Sequence, residues 1–190
     1  MLRYLWIPTK MMIVAVVVLG LAYPLVMTGA LRLVFPHQAD GSLIEVNGKP
    51  VGSALIGQNF TQAKYFHSRP SAAGSGYDPT ASGGSNLGPT SKTLFDDVKA
   101  RVASATAEDP GLKWGEVPVD MVTASASGLD PDISIANALA QVPRVAKERG
   151  LTQAAVRALI YHYTAGRTLG FLGEPRVNVL ELNLALDRQR

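Results

Sequence analysis

Residues 83–90 come close to a phosphate-binding motif. They read G-G-S-N-L-G-P-T, which is the pattern G-x-x-x-x-G-K-[S/T] with Pro89 in place of the lysine. The lysine would supply the cation that contacts a nucleotide's phosphates, and a proline also removes one backbone N–H from the anion-binding loop. Lys92 comes too late in the chain to take its place. The segment is better explained as a glycine-rich loop that leads into a helix.

Three other patterns could indicate chemistry, and each of them is incomplete. Residues 130–134 resemble the opening of a calcium-binding loop, but Ile135 stands where that loop needs glycine and Gln141 where it needs a bidentate glutamate. A zinc site would need ligands from unrelated segments, because the histidines are far apart and cysteine is absent. These histidines are His37, His67 and His162. No G-x-S-x-G motif occurs, so the sequence predicts no catalytic residue, no metal site and no tightly bound cofactor.

The segment 65–91 raises the main functional question. Ten of the 21 residues from Ser71 to Ser91 are Gly or Ser, which suits a slack linker, a phosphate loop or an ordered loop that touches a partner. The missing lysine argues against the phosphate loop. The candidate partner-contact residues of the segment are His67, Arg69, Tyr77, Asp78 and Asn86.

The N-terminal part predicts a membrane-spanning helix. Residues 11–31 carry no charge, and at about 1.5 Å per residue such a helix is about 30 Å long, the thickness of a bilayer's hydrocarbon core. A cleaved signal peptide is the alternative, since residues 28–30 form a permissive cleavage site, but its apolar region is typically only about 7–15 residues long. We therefore predict a short N-terminus over 1–10, a transmembrane helix over 11–35 and one soluble domain over 36–190.

The charge distribution predicts the orientation of this span. The net charge of +3 comes from three residues beside the apolar run, Arg3, Lys10 and Arg32, because residues 33–190 hold equal numbers of acidic and basic side chains. The basic pI is therefore no argument for a nucleic-acid partner. The positive-inside rule places the N-terminus in the cytoplasm and the large domain outside the plasma membrane. The absence of cysteine fits either compartment.

Strand and turn signals follow the span. Residues 43–46 and 51–56 predict a β-hairpin around Asn47 and Gly48, a pair that favours a type I′ turn. Residues 117–122 are short and apolar enough to predict a further strand. Together with the helices below, they indicate an α+β fold.

Helix signals fill most of the remaining chain. Ser91 can cap one helix. Residues 130–131, an Asp-Pro pair, predict the start of another helix, which Pro143 should kink or restart and Gly150 should end. Thr152 can cap the next helix. We assign residues 177–187 to a helix that Asn178 could cap, although their leucines also alternate as in a strand. The predicted architecture is one N-terminal transmembrane helix followed by a single compact mixed α/β soluble domain.

Four segments carry a resemblance to a known family, in matching order and spacing. They are residues 51–60, 65–91, 122–146 and 166–187. The chain resembles the C subunit of the Kdp-type potassium-transporting ATPase of bacteria, over nearly its whole length and including the single span. One departure is Asp132, where the resemblance leads us to expect histidine.

The resemblance implies an accessory, non-catalytic subunit of a high-affinity ATP-driven potassium import complex in the bacterial inner membrane. The implied partners are a channel-like A subunit that binds potassium, a P-type ATPase B subunit, a small F peptide and the bilayer around residues 11–35. One implied role is to assemble and stabilise the other subunits, with segment 65–91 as an ordered contact loop. The alternative is a helper that raises the ATP affinity of the B subunit in a transient ternary complex, so that ATP would be bound only together with that subunit.

Overall fold

Two units make up the chain, residues 1–51 and residues 52–190. The structure is a computed structural model, and it describes residues 2–109 and 111–189, with side chains described from Tyr4 onward. Helices and small antiparallel sheets occur together, which confirms the α+β prediction.

The first unit is dominated by an exposed apolar helix. Helix α1 (Leu2–Ala15), a π-helical segment (Val16–Ala22) and helix α2 (Tyr23–Val34) follow one another without a break. The stretch Tyr4–Val34 is long and apolar enough to cross a membrane, as predicted, and none of its apolar window is buried. Pro24 has no N–H to donate, and the wider π turns just before it relieve the clash between its ring and the preceding turn.

The hairpin is present with a shifted second strand. After the short helix α3 (Pro36–Ala39), β1 spans Leu43–Val46 and β2 spans Lys49–Ser53. Asn47 and Gly48 have φ of 54° and 73°, and two positive φ values are the signature of the predicted type I′ turn. The predicted bounds of the second strand, 51–56, are wrong. The two-residue turn ends at Gly48, so the strand begins at Lys49, and it ends at Ser53.

The second unit contains the remaining elements. They are α4 (Lys92–Glu108), α5 (Val119–Val122), β3 (Asp132–Ser134), α6 (Ile135–Arg149), α7 (Gln153–His162), β4 (Thr164–Ala165), β5 (Arg176–Asn178) and α8 (Val179–Asp187). Strand β5 lies between β3 and β4 and is antiparallel to both, with Val177 opposite Ile133 and Thr164.

Three of the helix caps predicted from the sequence are confirmed. The side-chain oxygens of Ser91, Thr152 and Asn178 accept N–H bonds from the first turns of α4, α7 and α8. Gly150 ends α6 in the left-handed conformation, with φ of 65°. The C-terminal segment is the helix that we predicted.

Two other predictions are wrong, and the structure decides part of a third. Residues 117–122 contain the short helix α5 instead of a strand, preceded by Pro118 at its N-cap. Helix α6 begins at Ile135 instead of 131, because residues 132–134 pair with β5 and Ser134 takes the N-cap position. Of the two alternatives at Pro143, the restart is wrong, because the helix runs unbroken to Arg149, and the kink stays a prediction.

The hydrophobic core lies between α6, α7, α8 and the three-stranded sheet. Its largest fully buried apolar side chains are Phe66, Ile133, Ile160, Leu182 and Leu186. Phe66 comes from no regular element but from the segment just before the glycine-rich loop. The core therefore fixes the start of that loop.

Candidate functional site

The glycine-rich loop, residues 71–91, is attached to the segment 125–129 by hydrogen bonds. The Ser71 hydroxyl donates to the Gly128 carbonyl at 2.7 Å. The Gly83 N–H and the Ser82 hydroxyl both donate to the Ser127 carbonyl, each at 2.9 Å. The loop is therefore ordered along this edge and does not behave as a slack linker.

Two glycines permit this close approach. A Cβ on Gly128, which has φ of 68°, would lie 2.6 Å from the Ala73 Cβ and 2.8 Å from the Gly83 carbonyl oxygen. A Cβ on Gly84 would lie 3.1 Å from the Ala126 carbonyl oxygen. The glycine content of the loop thus has a packing explanation that needs no anion.

The phosphate-loop pattern over 83–90 finds no support in the geometry. Its first amide, the Gly83 N–H, is already bonded to a carbonyl. Residues 82–88 have no regular secondary structure, whereas a phosphate loop follows a strand directly. Lys92, the nearest lysine, pairs with Asp96 one turn along α4.

His67 lies at the entrance of the loop, against α4 and α6. Its Nδ1 is 3.4 Å from the Glu108 carboxylate, and its Nε2 is 3.4 Å from Nη1 of Arg144. Burial first, and then the Arg144 charge, lower the pKa of His67, while the Gln62 carbonyl and the Glu108 and Asp109 carboxylates oppose this shift. The same Nε2 also lies 3.3 Å from the Gln62 carbonyl oxygen, so Arg144 and Gln62 compete for this nitrogen.

The Tyr77 side chain bonds back to the Arg69 backbone, and the Arg69 side chain pairs with Asp130. Arg69 Nη1 is 2.8 Å from the Asp130 carboxylate, and the Tyr77 hydroxyl donates to the Arg69 carbonyl. Tyr77 has φ of 56°, an unfavourable region for a bulky residue, and burial raises the pKa of its phenol. The Arg69 Nε is buried without a hydrogen-bond partner among the described atoms.

Asp78 and Asn86 differ from these three residues. One Asp78 carboxylate oxygen accepts bonds from the Thr80 hydroxyl and N–H, which lower the pKa of Asp78. Asn86 is exposed and has φ of 52°. Both residues belong to the outer part of the loop.

A cleft of about 470 Å³ opens between the loop and α4. His67, Arg69 and Tyr77 line it, together with Arg101 and Glu108 of α4. Asp78 and Asn86 are outside this lining. The structure therefore brings three of the five candidate residues together and leaves the other two apart.

A buried polar network behind the cleft was not anticipated from the sequence. Arg144 and Asp109, 5% and 2% exposed, form an ion pair at 2.8 Å. Arg144 also donates to the carbonyls of Ala63 and Tyr65 and to Gln141. Burial raises the pKa of Asp109, and the Arg144 charge opposes this shift. The network positions the backbone before the glycine-rich loop, because its donors bind the protein's own carbonyls.

The network holds residues 63–67, a turn and the irregular residues that follow it, which belong to no strand. Asn183 of α8 accepts from the Phe66 N–H at 2.8 Å and donates to the Phe66 carbonyl at 3.0 Å. Gln141 of α6 bonds both the N–H and the carbonyl of His67. Arg149 donates to the Lys64 carbonyl. Side-chain amides thus replace the ladder bonds of a sheet.

One sequence signal could have revealed the network. Asn137, Gln141 and Arg144 are spaced i, i+4, i+7, so they share one face of α6, and all three are buried. Polar residues in a buried helical stripe must find partners. Partners such as His67 and Tyr65 lie about 75 positions earlier in the chain, and no local pattern identifies them.

A metal site also finds no support in the described part of the chain. Among residues 2–109 and 111–189, no three His, Asp or Glu side chains are grouped so that they could hold a metal ion. The Asp130 carboxylate is engaged with Arg69 and with the Asp132 N–H. The calcium-loop resemblance is therefore better explained by a turn.

Comparison with known proteins gives one consistent family. The family model described as "KdpC: K+-transporting ATPase, c chain" matches residues 5–188. A protein of Acidobacterium capsulatum named "Potassium-transporting ATPase KdpC subunit" is 59% identical over 176 residues, which cover 93% of each chain. Proteins with the same name from Bradyrhizobium diazoefficiens and Gemmatimonas aurantiaca are 54% and 60% identical, and the matches cover 99% and 88% of this chain and 98% and 84% of theirs.

The family match covers most of the structural features described above. One apolar helix, the ordered glycine-rich loop and the C-terminal helix α8 all lie inside the matched range. The resemblance predicted from four sequence segments is confirmed along nearly the whole chain. The chain belongs to the KdpC family, the c chain of the K+-transporting ATPase.

Proposed function

We propose that this chain is a non-catalytic subunit of an ATP-driven potassium import complex, and that it acts by holding the other subunits together. The observation that carries the proposal is the family match over residues 5–188. The geometry supports it, because the polar groups nearest the cleft are engaged in internal bonds such as the Arg69–Asp130 and Arg144–Asp109 pairs. Such groups position a surface and leave little free to catalyse a reaction.

The partners in this proposal follow from the family. They are the channel-like A subunit that binds potassium, the ATP-hydrolysing B subunit and the small F peptide. Residues 11–35 contact the bilayer as a single span, residues 1–10 lie in the cytoplasm, and residues 36–190 form one extracytoplasmic domain. The charge bias around the span supports this orientation.

Within the domain, the glycine-rich loop is proposed to contact another subunit. Asp78 and Asn86 present the polar groups of this contact, whereas His67, Arg69 and Tyr77 hold the loop in shape. Deleting residues 82–85 removes exposed loop and the Ser127 bonds. The deletion should weaken co-purification with the A subunit while the domain stays folded, and unchanged co-purification would exclude this contact.

The test of the assembly role uses the whole complex. An affinity tag on the B subunit is used to purify the complex from cells that express all subunits, with or without this chain. We expect recovery of the A subunit only when this chain is present. Equal recovery of the A subunit in both preparations would refute the assembly role.

The alternative function is that of a helper that raises the ATP affinity of the B subunit. One observation favours it, the 470 Å³ cleft with Arg101 in its lining, since guanidinium groups bind phosphates well. If the cleft binds ATP, equilibrium binding to the purified chain and B subunit should be saturable and should weaken in Arg101→Ala. No change in this variant would leave assembly as the function.

A further inference from the structure

The connection between β4 and β5 forms an ordered apolar hairpin tip, residues 167–174. The Thr168 and Leu172 backbones exchange two hydrogen bonds, each of 2.9 Å. At the base of the tip, Arg167 Nη2 donates to both carboxylate oxygens of Glu174, at 2.9 and 2.8 Å. The tip is therefore fixed in one shape before any partner binds.

This tip presents its large apolar side chains to solvent. Leu169, Phe171 and Leu172 are 79%, 68% and 49% exposed, and none of them belongs to the hydrophobic core. Clustered exposed apolar residues are a feature of interaction surfaces, whereas scattered single ones are ordinary. Leu169 and Phe171 in particular leave most of their apolar surface unburied by the fold.

Backbone strain at Leu169 gives a second, independent observation. Its φ is 54°, a left-handed conformation that glycine or asparagine adopts more easily than leucine. Glycine would complete this turn at lower free energy, and the tip already uses it at positions 170 and 173, both with positive φ. A leucine held in this conformation indicates that its side chain has a use outside the fold.

The charges of the tip and its strands distinguish a protein partner from a lipid surface. Arg167 is neutralised by Glu174, and Arg176 is paired with Asp132 at 2.9 Å. Apolar segments that bind to the membrane interface usually add free cations that attract anionic lipid, and both arginines between residues 164 and 178 are paired. The chain also carries its own apolar span. An apolar hairpin tip without net charge is better suited to a pocket on a protein.

We propose that the hairpin tip docks into an uncharged apolar pocket on another subunit of the potassium-transporting ATPase, with Phe171 and Leu169 as its anchors. This rests on the proposed function, which supplies the partner chains. Because the tip is continuous with the β4–β5 ladder beside the core, docking would fix the orientation of the whole domain. Aromatic side chains that fill a partner's pocket commonly dominate an interface.

The test compares matched variants in the assembled complex. Phe171→Ser removes an anchor, and Phe95→Ser on α4 is its control, because Phe95 is 69% exposed. Leu169→Gly removes the second anchor and also relieves the strained φ, so it should not destabilise the fold. With a tag on this chain, we expect Phe171→Ser and Leu169→Gly to reduce the retained A and B subunits on the order of tenfold, while Phe95→Ser retains them.

Each contrary outcome has a separate meaning. Equal retention by all three variants, or an equal loss with Phe95→Ser, would overturn the docking proposal while the proposed function stands. Failure of the unaltered chain to retain any subunit would refute the proposed function itself. Phe171→Trp in a Trp6→Phe, Trp114→Phe chain, reconstituted in vesicles of brominated lipid, checks the bilayer, and quenching of its fluorescence would also overturn the proposal.

Discussion

Arg144 is the residue on which the candidate site depends most. One guanidinium pairs with Asp109 and donates to the carbonyls of Ala63 and Tyr65 and to Gln141. Only arginine offers five donors in a fixed plane, so lysine cannot reproduce this set. Removing the guanidinium leaves the buried Asp109 carboxylate without its partner and takes the donor from two part-buried carbonyls.

We therefore expect Arg144→Leu to lower the free energy of unfolding by about 3–5 kcal/mol, the cost of breaking a buried ion pair. Urea denaturation of the detergent-solubilised chain, followed by far-UV circular dichroism, measures it. Lys92→Ala is the control, because its ion pair with Asp96 is exposed and exposed pairs contribute little. If both variants lost a similar amount of unfolding free energy, the stabilising role proposed for Arg144 would be contradicted.

His67 makes stability depend on pH. Burial and Arg144 lower its pKa in the folded chain below the usual 6.5, so the unfolded chain takes up a proton first as the pH falls. The free energy of unfolding should therefore decrease as the pH falls through 6.5 and level off below the folded pKa. Comparing the urea midpoints of the unaltered chain at pH 7.5 and 5.5 measures the decrease.

His67→Gln should make this pH dependence smaller, since glutamine does not titrate. His162→Gln, at an exposed position of α7, is the matched histidine control. The window ends at pH 5.5 because the pKa of Asp109 is raised by burial, which has the opposite effect on stability at lower pH. An unchanged pH dependence in His67→Gln would show that another group is responsible.

At the scale of elements, two glycines allow the effect of backbone strain to be measured separately from the effect of steric crowding. Gly128 and Gly150 have φ of 68° and 65°, but only Gly128 has neighbours where a Cβ would be placed. Gly150→Ala should cost about 1 kcal/mol for the left-handed conformation alone. Gly128→Ala should cost clearly more, since its Cβ would collide with Ala73 and Gly83.

Thermal unfolding of the two alanine variants measures this difference, and hydrogen exchange at residues 82–84 locates it. Exchange at these amides should increase in Gly128→Ala only. Equal destabilisation by both substitutions would mean that the glycine-rich loop is not pinned against residues 125–129.

The elements that the sequence predicts correctly are those with local causes. Caps at Ser91, Thr152 and Asn178 need only the residues of one turn, and the Asn47-Gly48 turn needs only two. The failures have distant causes. Residues 132–134 become a strand because β5, more than 40 residues later, pairs with them.

The candidate site was predictable in the same uneven way. Segment 65–91 is visible from composition, and His67, Arg69 and Tyr77 do meet at one cleft. Their partners, Asp130, Arg144 and Glu108, come from other elements. Tertiary contacts of this kind leave no local pattern in the sequence.

At the scale of the whole molecule, one long apolar helix precedes a set of helices and small antiparallel sheets. The family match over residues 5–188 identifies the complex, and the charge bias beside the span predicts the side of the membrane. A domain outside the cytoplasm cannot contact ATP directly. Any effect on ATP binding would then have to be coupled across the membrane.

The most direct test of this account is the sidedness of the domain. The chain contains no cysteine, so Ser85→Cys on the exposed loop introduces a single reactive thiol, which is probed with a membrane-impermeant maleimide in cells with only a permeabilised outer membrane. We predict labelling, which places the domain outside and leaves protein contacts as its means of action. Labelling only after the inner membrane is broken, with the same thiol reactive in detergent, would contradict the account and favour the ATP-helper function.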